Sequence, residues 1–274
     1  MENNINKILT DSINYLKFQQ EHKTYNIYKD NLSEEVFSDE DIQINIKLNE
    51  ESLIQDNLKT KSTKENIIKR ESFDMGLLRE EWMDSGSIDD LNTKICTCQK
   101  CPLGKTRKNF VFGVGNPKAK IIVVGEAPGA EEDLQGKPFV GRAGKLLTDI
   151  LKAINFTRDE VFICNILKCR PPENRNPLPE EIFHCEPYLF KQLELIKPKF
   201  ILAVGSFAAQ TLLKKKEPLG KLRGKFYDFE YEGGKAKLLV TFHPAALLRN
   251  PNWKRPTWED VQLFRKEYDK EQKI

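Results

Sequence analysis

The fold prediction rests on the stretch Ile121-Ile-Val-Val-Gly-Glu-Ala-Pro-Gly-Ala-Glu-Glu-Asp-Leu-Gln-Gly-Lys-Pro-Phe-Val-Gly-Arg-Ala-Gly144. Its first four residues are apolar and β-branched, which is typical of a strand buried in a parallel sheet. After the stretch, apolar residues recur at helical spacing over Lys145–Asn155. The pattern therefore predicts a strand, a long polar loop rich in Gly and Pro, and a helix. Loops at this end of a strand commonly carry the chemistry of α/β proteins.

The same pattern recurs along the rest of the chain. Apolar runs occur at Lys120–Val124, Val161–Leu167, Phe200–Val204 and Leu238–Phe242. Helical patterns over Lys145–Asn155 and Pro179–Leu195 separate the first three runs, a third helical pattern covers Phe207–Lys215, and a last one begins at Thr257. This alternation predicts an α/β fold in which a parallel sheet is covered by helices on both faces.

Polar side chains occur where three of these strands end. Glu126 follows the first strand, Asn165 lies near the end of the second, and His243 follows the fourth. Because parallel strands end at the same edge of a sheet, we expect the three side chains to converge in one crevice. The set does not form a nucleophilic triad. It suits a planar heterocycle that is bound by the amide, with His stabilising a developing anion and Glu a developing cation, while Phe139 offers a stacking face.

Charge divides the chain of 274 residues into two parts. Residues 1–84 contain 11 Lys and Arg against 18 Asp and Glu, a net charge of −7, whereas the remainder contains 33 against 23, a net charge of +10. We interpret residues 1–85 as an acidic, mostly disordered extension, since few of its residues are suited to a core. This extension either has no role or docks a protein partner. The basic part suggests a polyanionic partner.

The chain has no run of apolar residues long enough to span a bilayer and no N-terminal signal pattern. We therefore expect a cytoplasmic protein without a membrane partner.

The six cysteines are clustered at positions 96, 98, 101, 164, 169 and 185. A cytosolic chain of this size gains little from disulfides, so metal ligation is the first alternative. Cys98, Cys101, Cys169 and Cys185 make a plausible site of four thiolates, which suits either zinc or an iron–sulfur cluster. The spacing does not choose between them. Cys96 is an alternative to Cys98.

Several long motifs, in the same order along the chain, resemble family 4 uracil-DNA glycosylases, the iron–sulfur type. They are Gly125-Glu-Ala-Pro-Gly with Glu132-Asp133, Gly136-Lys-Pro-Phe-Val-Gly, Asn165-Ile-Leu-Lys-Cys-Arg-Pro-Pro-Glu-Asn174-Arg, and His243-Pro-Ala-Ala-Leu-Leu-Arg249. The resemblance covers about Ile88 to Tyr268 and says nothing about the extension. It implies that residues 86–274 form a three-layer α/β/α domain with a four-stranded parallel sheet.

The resemblance also implies an activity and its residues. The enzyme would flip uracil out of DNA and hydrolyse its N-glycosidic bond, leaving an abasic site. Phe139 would stack on the base, Asn165 would pair with its N3 and O4, and His243 would donate to O2. Glu126 would orient the attacking water or stabilise the sugar cation, two roles that the sequence does not separate.

Further residues are implied for the cofactor and the DNA. A [4Fe–4S] cluster would be held by Cys98, Cys101, Cys169 and Cys185. The positions of Glu132 and Asn174 match family residues near the pocket. Leu247, Leu248 and Arg249 match a loop that penetrates DNA. Lys105, Arg107, Arg170, Arg175 and Lys254 are candidate phosphate contacts, with a solvated basic surface as the equal alternative. We expect a monomer that binds uracil-containing DNA, single- or double-stranded.

Three other functions remain open at this point. Broader specificity for deaminated bases would fit the related family 5 enzymes, but these lack an acid at the position of Glu126. A catalytically silent DNA-binding iron–sulfur module would not need Glu126, Asn165 and His243, and neither would an electron carrier.

Overall fold

Six strands form one mixed sheet in the structure, a computed structural model that describes residues 79–272. The strands are β1 (Val114–Gly115), β2 (Ile121–Gly125), β3 (Phe162–Asn165), β4 (Phe200–Val204), β5 (Phe226–Tyr231) and β6 (Gly234–Thr241). Their order across the sheet is β1-β3-β2-β4-β6-β5. The four central strands are parallel, and the two edge strands pair antiparallel with their neighbours. The predicted parallel strands are confirmed, and the structure adds the two edge strands.

Helices cover both faces of this sheet. The α-helices of the described residues are α1 (Ile88–Ile95), α2 (Leu103–Thr106), α3 (Ala130–Gln135), α4 (Arg142–Ala153), α5 (Pro179–Ile196), α6 (Ser206–Leu213), α7 (Leu219–Leu222), α8 (Pro244–Arg249) and α9 (Lys254–Glu271). Strand β2 is buried along its length. Its side chains alternate between two apolar clusters, with Ile122 and Val124 in one and Ile121 and Val123 in the other. This alternation places β2 in the middle layer of an α/β/α arrangement.

The folded unit begins before the predicted boundary at residue 86. A compact unit spans Glu80–Ile274, and its first turn is a short 3₁₀ helix over Glu81–Asp84. Trp82 is buried in this turn and meets the ring of Tyr188 edge-on at 4.9 Å. Residues 1–78, which make up most of the extension predicted over residues 1–85, lie outside the described residues. None of the helices within residues 79–272 is long and apolar enough to cross a membrane.

Candidate active site and four-cysteine corner

The three predicted strand-end residues lie along the carboxyl edge of the sheet. Gly125, just before Glu126, is the register partner of Asn165 at the end of β3. His243 follows β6 by two residues and caps the start of α8. The ring of Phe139 lies 5.5 Å from the imidazole of His243, tilted by 34°. The loop after β2 therefore brings its aromatic side chain to the same crevice.

Two glycines allow these side chains to approach the strand ends. A β-carbon at Gly125 would lie 2.6 Å from Cζ of Phe139 and still closer to Oδ1 of Asn165. At Gly205, which has a φ of +98°, a β-carbon would lie 3.0 Å from Cβ of His243. Any larger residue at Gly125 would collide with both the ring and the carboxamide. The absence of side chains here creates the space in which Phe139, Asn165 and His243 meet.

The carboxamide of Asn165 is buried without a partner for its oxygen. Asn165 is 1% exposed, and its Oδ1 atom accepts no hydrogen bond in the structure. Buried polar atoms are nearly always paired, because an unpaired one loses its hydration with no compensation. An acceptor held this way at a crevice is suited to an N–H group of a ligand. This is the strongest single indication that the crevice binds something planar and polar.

The imidazole of His243 is neutral around physiological pH. Its pKa is lowered to about 4, mainly by burial and also by the positive charge of Arg249, while Glu132 acts in the opposite direction. Nδ1 accepts a hydrogen bond of 3.2 Å from the main-chain N–H of Ala245. The proton of the neutral ring must therefore sit on Nε2, which leaves Nε2–H as a donor.

Glu126 is a poorly solvated carboxyl group near the same cation. Burial raises its pKa above the usual 4.5, and Arg249 counteracts this shift. Arg249 thus interacts electrostatically with both Glu126 and His243. A carboxylate with reduced hydration is well placed to accept a proton from water or to face a developing cation.

Glu132 holds the loop that carries Phe139. Its Oε1 atom accepts hydrogen bonds of 2.9 Å from the main-chain N–H groups of both Val140 and Gly141. Phe139 itself has a φ of +52°, which is unusual for a bulky residue. A β-carbon at Gly144 would overlap the carbonyl oxygen of Phe139. The contacts of Glu132 are therefore to the loop backbone, and they fix the position of the ring.

The remaining predicted residues differ in their exposure. Asn174 is exposed, and its Oδ1 atom accepts a hydrogen bond from Nε of Arg170 at 2.9 Å. Leu247 is only 1% exposed, whereas Leu248 is 40% exposed and Arg249 is also exposed. Leu247 therefore packs in the core in this structure, and Leu248 and Arg249 are the members of the set that face outwards.

Four cysteines from distant segments come together at one corner of the domain. Cys98 and Cys101 lie on the segment between α1 and α2, Cys169 follows β3, and Cys185 lies on α5. The pKa of Cys185 is raised to about 12 and that of Cys169 to about 11, mainly by burial, with a smaller contribution from Cys98 in both cases. Burial also raises the pKa of Cys101, and Cys98 contributes to this shift as well. Cys101, Cys169 and Cys185 therefore all lie close enough to Cys98 to be affected by its charge.

Hydrogen-bond donors point at these sulfur atoms. The hydroxyl of Tyr188 lies 3.2 Å from Sγ of Cys98, and the main-chain N–H of Lys168 lies 3.2 Å from Sγ of Cys185. Nη1 of Arg107 lies 3.1 Å from Sγ of Cys169. Such donors favour thiolates over thiols. Cys96 is exposed, and its thiol instead donates to the carbonyl of Thr93.

Arg107 contacts the four-cysteine corner, a role that was not predicted from its place in the sequence. Its guanidinium also donates to the carbonyl groups of Cys98 and Cys96, so it serves the cysteine corner. Arg175 similarly forms an ion pair with the buried Glu181. Both were candidates for phosphate contacts, and both are satisfied within the chain. Their proximity to a Cys-rich turn and to a helix start was the only sequence signal of these roles.

Comparison with known proteins identifies the family. A family model described as the uracil DNA glycosylase superfamily matches residues 112–262, which is more than half of the chain. The chain belongs to this superfamily. Within it, the chain is 50% identical over 169 residues to a type-4 uracil-DNA glycosylase from Archaeoglobus fulgidus, a match that covers 60% of this chain and 85% of that protein.

Two further type-4 uracil-DNA glycosylases agree with this placement. The protein of Saccharolobus solfataricus is 48% identical over 181 residues, covering 64% of this chain and 84% of the relative. The protein of Pyrobaculum aerophilum is 44% identical over 181 residues, covering 65% of this chain and 92% of the relative. The superfamily match includes Phe139, Asn165 and His243, so the crevice described above lies in the part of the chain that the superfamily model covers.

Proposed function

We propose that this chain is a monofunctional uracil-DNA glycosylase that extrudes uracil from DNA, hydrolyses its N-glycosidic bond and leaves an abasic site. The observation that carries the proposal is the unpaired Oδ1 atom of the buried Asn165, at the sheet edge where the ring of Phe139 also lies against the imidazole of His243. A base inside a duplex cannot reach this crevice, so the nucleotide must rotate out of the stack.

Asn165 selects uracil through the pattern of its carboxamide. Its Oδ1 atom accepts the N3–H of uracil, and its Nδ2 group donates to O4. Cytosine presents an acceptor at N3 and an amino donor at the neighbouring position, so both contacts would become repulsive. A buried carboxamide left unpaired by the wrong base incurs the full cost of its desolvation, which makes the discrimination strong.

His243 and Glu126 act on the two sides of the bond that breaks. As the bond between C1′ of the sugar and N1 of uracil lengthens, its electron pair moves onto the base, and Nε2–H of His243 donates to the O2 oxygen where negative charge accumulates. A neutral imidazole can make this donation without first acquiring a proton. A water oxygen then bonds to C1′, and Glu126 faces the positive sugar and accepts the proton that this water loses.

The four-cysteine corner fits a [4Fe–4S] cluster, which we propose as the cofactor. Cys98, Cys101, Cys169 and Cys185 would hold it, and the donors from Arg107, Tyr188 and Lys168 would stabilise their thiolates. Residues 79–272 contain no group of three or more His, Cys, Asp or Glu side chains arranged to hold a single metal ion. A cluster bound at this corner would join the segment before α2 to the loop after β3, and its role in the proposal is structural.

One assay separates this function from its alternatives. The protein, purified with its iron, is incubated with oligonucleotides that carry uracil, a guanine–thymine mismatch or hypoxanthine, and abasic sites are then cleaved with alkali. We expect cleavage at uracil alone. Cleavage at hypoxanthine as well would indicate the broader specificity of family 5, and intact uracil with full iron content would exclude the glycosylase in favour of a silent DNA-binding module or an electron carrier.

The pH dependence of uracil release should reflect Glu126 and not His243. The pKa of His243 is lowered to about 4, mainly by burial. The imidazole therefore stays neutral as the pH falls through about 6.5, the pKa of an ordinary histidine. Burial raises the pKa of Glu126, so its carboxylate is lost at a higher pH than that of an ordinary Glu. The rate of a single turnover should therefore fall on the acid side with a slope of one proton.

The variant Glu126→Gln tests this assignment. Its residual rate should be low and flat from about pH 8 to about pH 5, because the titrating group is gone. A fall centred near pH 6.5 that persists in Glu126→Gln would contradict the assignment and show that His243 titrates in the active enzyme.

Leu248 should matter more for duplex than for single-stranded substrate. It is 40% exposed on the short helix that His243 begins, so it can fill the gap that an extruded base leaves. We expect Leu248→Ala to lower kcat/KM on duplex DNA by about 10-fold and on single-stranded DNA by less than about 3-fold, because only the duplex loses stacking energy.

The matched control is Leu263→Ala on helix α9. Leu263 is 37% exposed, so this substitution removes a leucine side chain of similar exposure from a different helix. Equal losses on duplex and single-stranded DNA for Leu248→Ala would rule out a wedge role.

A further inference from the structure

Lys168 is a fully buried lysine whose side-chain amino group donates to two acceptors. The residue is 0% exposed. Its Nζ atom donates to the main-chain carbonyl of Asn165 at 2.8 Å and to Oε1 of Gln192 at 2.6 Å. Gln192 is itself fully buried, and its Nε2 atom donates to the carbonyl of Phe112 at 3.0 Å. Burying a lysine side chain is costly, so a lysine at this place needs a specific explanation.

The position of Lys168 is defined from several sides. Its main-chain N–H points to Sγ of Cys185, and its carbonyl accepts a hydrogen bond of 2.8 Å from the N–H of Val111. The residue therefore lies between the four-cysteine corner and the end of strand β3. Its side chain turns back along the chain to reach Asn165, three residues earlier.

Asn165 needs support at this point because it is the last residue of β3. Beyond it, the N–H groups of Ile166 and Leu167 bond to the carbonyls of Gly125 and Glu126, so the chain bends towards the end of β2. The direction of the Asn165 carboxamide depends on the orientation of its own main chain. A donor fixed on the Asn165 carbonyl therefore restrains the side chain as well.

We propose that Lys168 is a positioning residue for base recognition: its side-chain amino group, held by Gln192, fixes the main chain of Asn165 and so aims its carboxamide at the extruded base. The proposal rests on the glycosylase function and adds a buried pair that acts through Asn165 and not on the substrate. Small displacements of a recognition group have large effects, since a shift of about 1 Å can cost about 10²-fold in rate.

A double-mutant cycle between Lys168 and Asn165 tests the proposal. Lys168→Met removes the hydrogen-bond donor but keeps most of the volume. In single-turnover assays it should slow uracil release about 10- to 100-fold in the native background and less than about 3-fold in the Asn165→Ala background, where no carboxamide remains to be aimed. Inhibition by free uracil, measured separately, should weaken by a similar factor, and iron content and visible absorbance should match the native protein.

The control is Lys191→Met, one residue before Gln192 on the same helix. Lys191 pairs with Glu194, its neighbour on the same helix, so the same substitution there should leave the rate and uracil inhibition unchanged. Should Lys168→Met fail to fold, Gln192→Leu enters the same cycle, because it removes the brace while keeping the lysine.

Three outcomes would overturn the proposal while leaving the glycosylase function intact. They are a native rate in the variant, an equal slowing in both backgrounds, and a loss of iron, which would mean that Lys168 acts through the cysteine corner. Absence of uracil release by the native protein in the same assay would instead reject the proposed function.

Discussion

Replacing Asn165 with Ala should lower kcat/KM for uracil release by about 10³- to 10⁴-fold, because both buried hydrogen bonds that recognise the base are lost. Asn165 is 1% exposed, and its Oδ1 atom is unpaired. The variant removes both polar contacts to the base and leaves N3–H and O4 of uracil facing a cavity. When uracil enters the crevice, its N3–H and O4 groups give up the hydrogen bonds that they make outside the protein. In the variant no hydrogen bonds to the protein replace them, so binding of the base becomes less favourable.

The measurement is single-turnover release from an oligonucleotide with one uracil, alongside circular dichroism and iron content. Both structural readouts should be native, because the lost oxygen has no partner inside the protein. Asn92→Ala serves as the control, since Asn92 is exposed on α1. A loss of less than about 10-fold with an intact fold would mean that the carboxamide does not read the base.

Replacing Cys98 with Ser should remove the iron, whereas replacing Cys96 with Ser should not. Sγ of Cys98 accepts from Tyr188, and Cys98 raises the pKa of Cys101, Cys169 and Cys185. Without a fourth thiolate the remaining three must stay protonated or repel one another in a buried site. We expect the melting temperature to fall by roughly 10 °C, which corresponds to about 3 kcal/mol for a domain of this size.

Iron per chain, visible absorbance and thermal unfolding provide the readouts for this pair. Cys96 is exposed and is bonded to Thr93 within its own helical turn, so Cys96→Ser should resemble the native protein in all three. If Cys98→Ser retains its iron and Cys96→Ser loses it, Cys96 is the ligand in place of Cys98. Full iron in both variants would argue against a four-cysteine cluster.

Much of the architecture could be predicted because the buried strands are apolar on both faces. The runs at residues 120–124 and 200–204 match β2 and β4 within one residue. The run at residues 161–167 was less accurate, since β3 ends at Asn165 while Ile166 and Leu167 remain buried beyond the sheet. An apolar run indicates which residues are buried, but the end of a strand depends on its backbone hydrogen-bond pattern, which the run does not show. Strand β5 escaped prediction because it is an edge strand that is only partly buried.

The positions of the candidate site residues could also be predicted only in part. Glu126, Asn165 and His243 were identifiable because polar residues at the ends of parallel strands share one edge. The contacts of Arg107 and Lys168 were not, because each depends on partners from segments far away in the chain. Arg107 was a candidate phosphate contact, and Lys168 was one residue of a motif with no partner indicated by the sequence.

The local period of apolar residues was sufficient to predict the four central strands, the long helices that follow them and the polar residues at the strand ends, because these properties depend on neighbours along the chain. Only the folded chain shows the protonation of His243, the burial of Leu247 beside an exposed Leu248, and the buried lysine side chain behind Asn165. The physical reason is that desolvation and hydrogen-bond pairing depend on which distant side chains surround a group, and adjacent residues on one short helix can experience opposite surroundings.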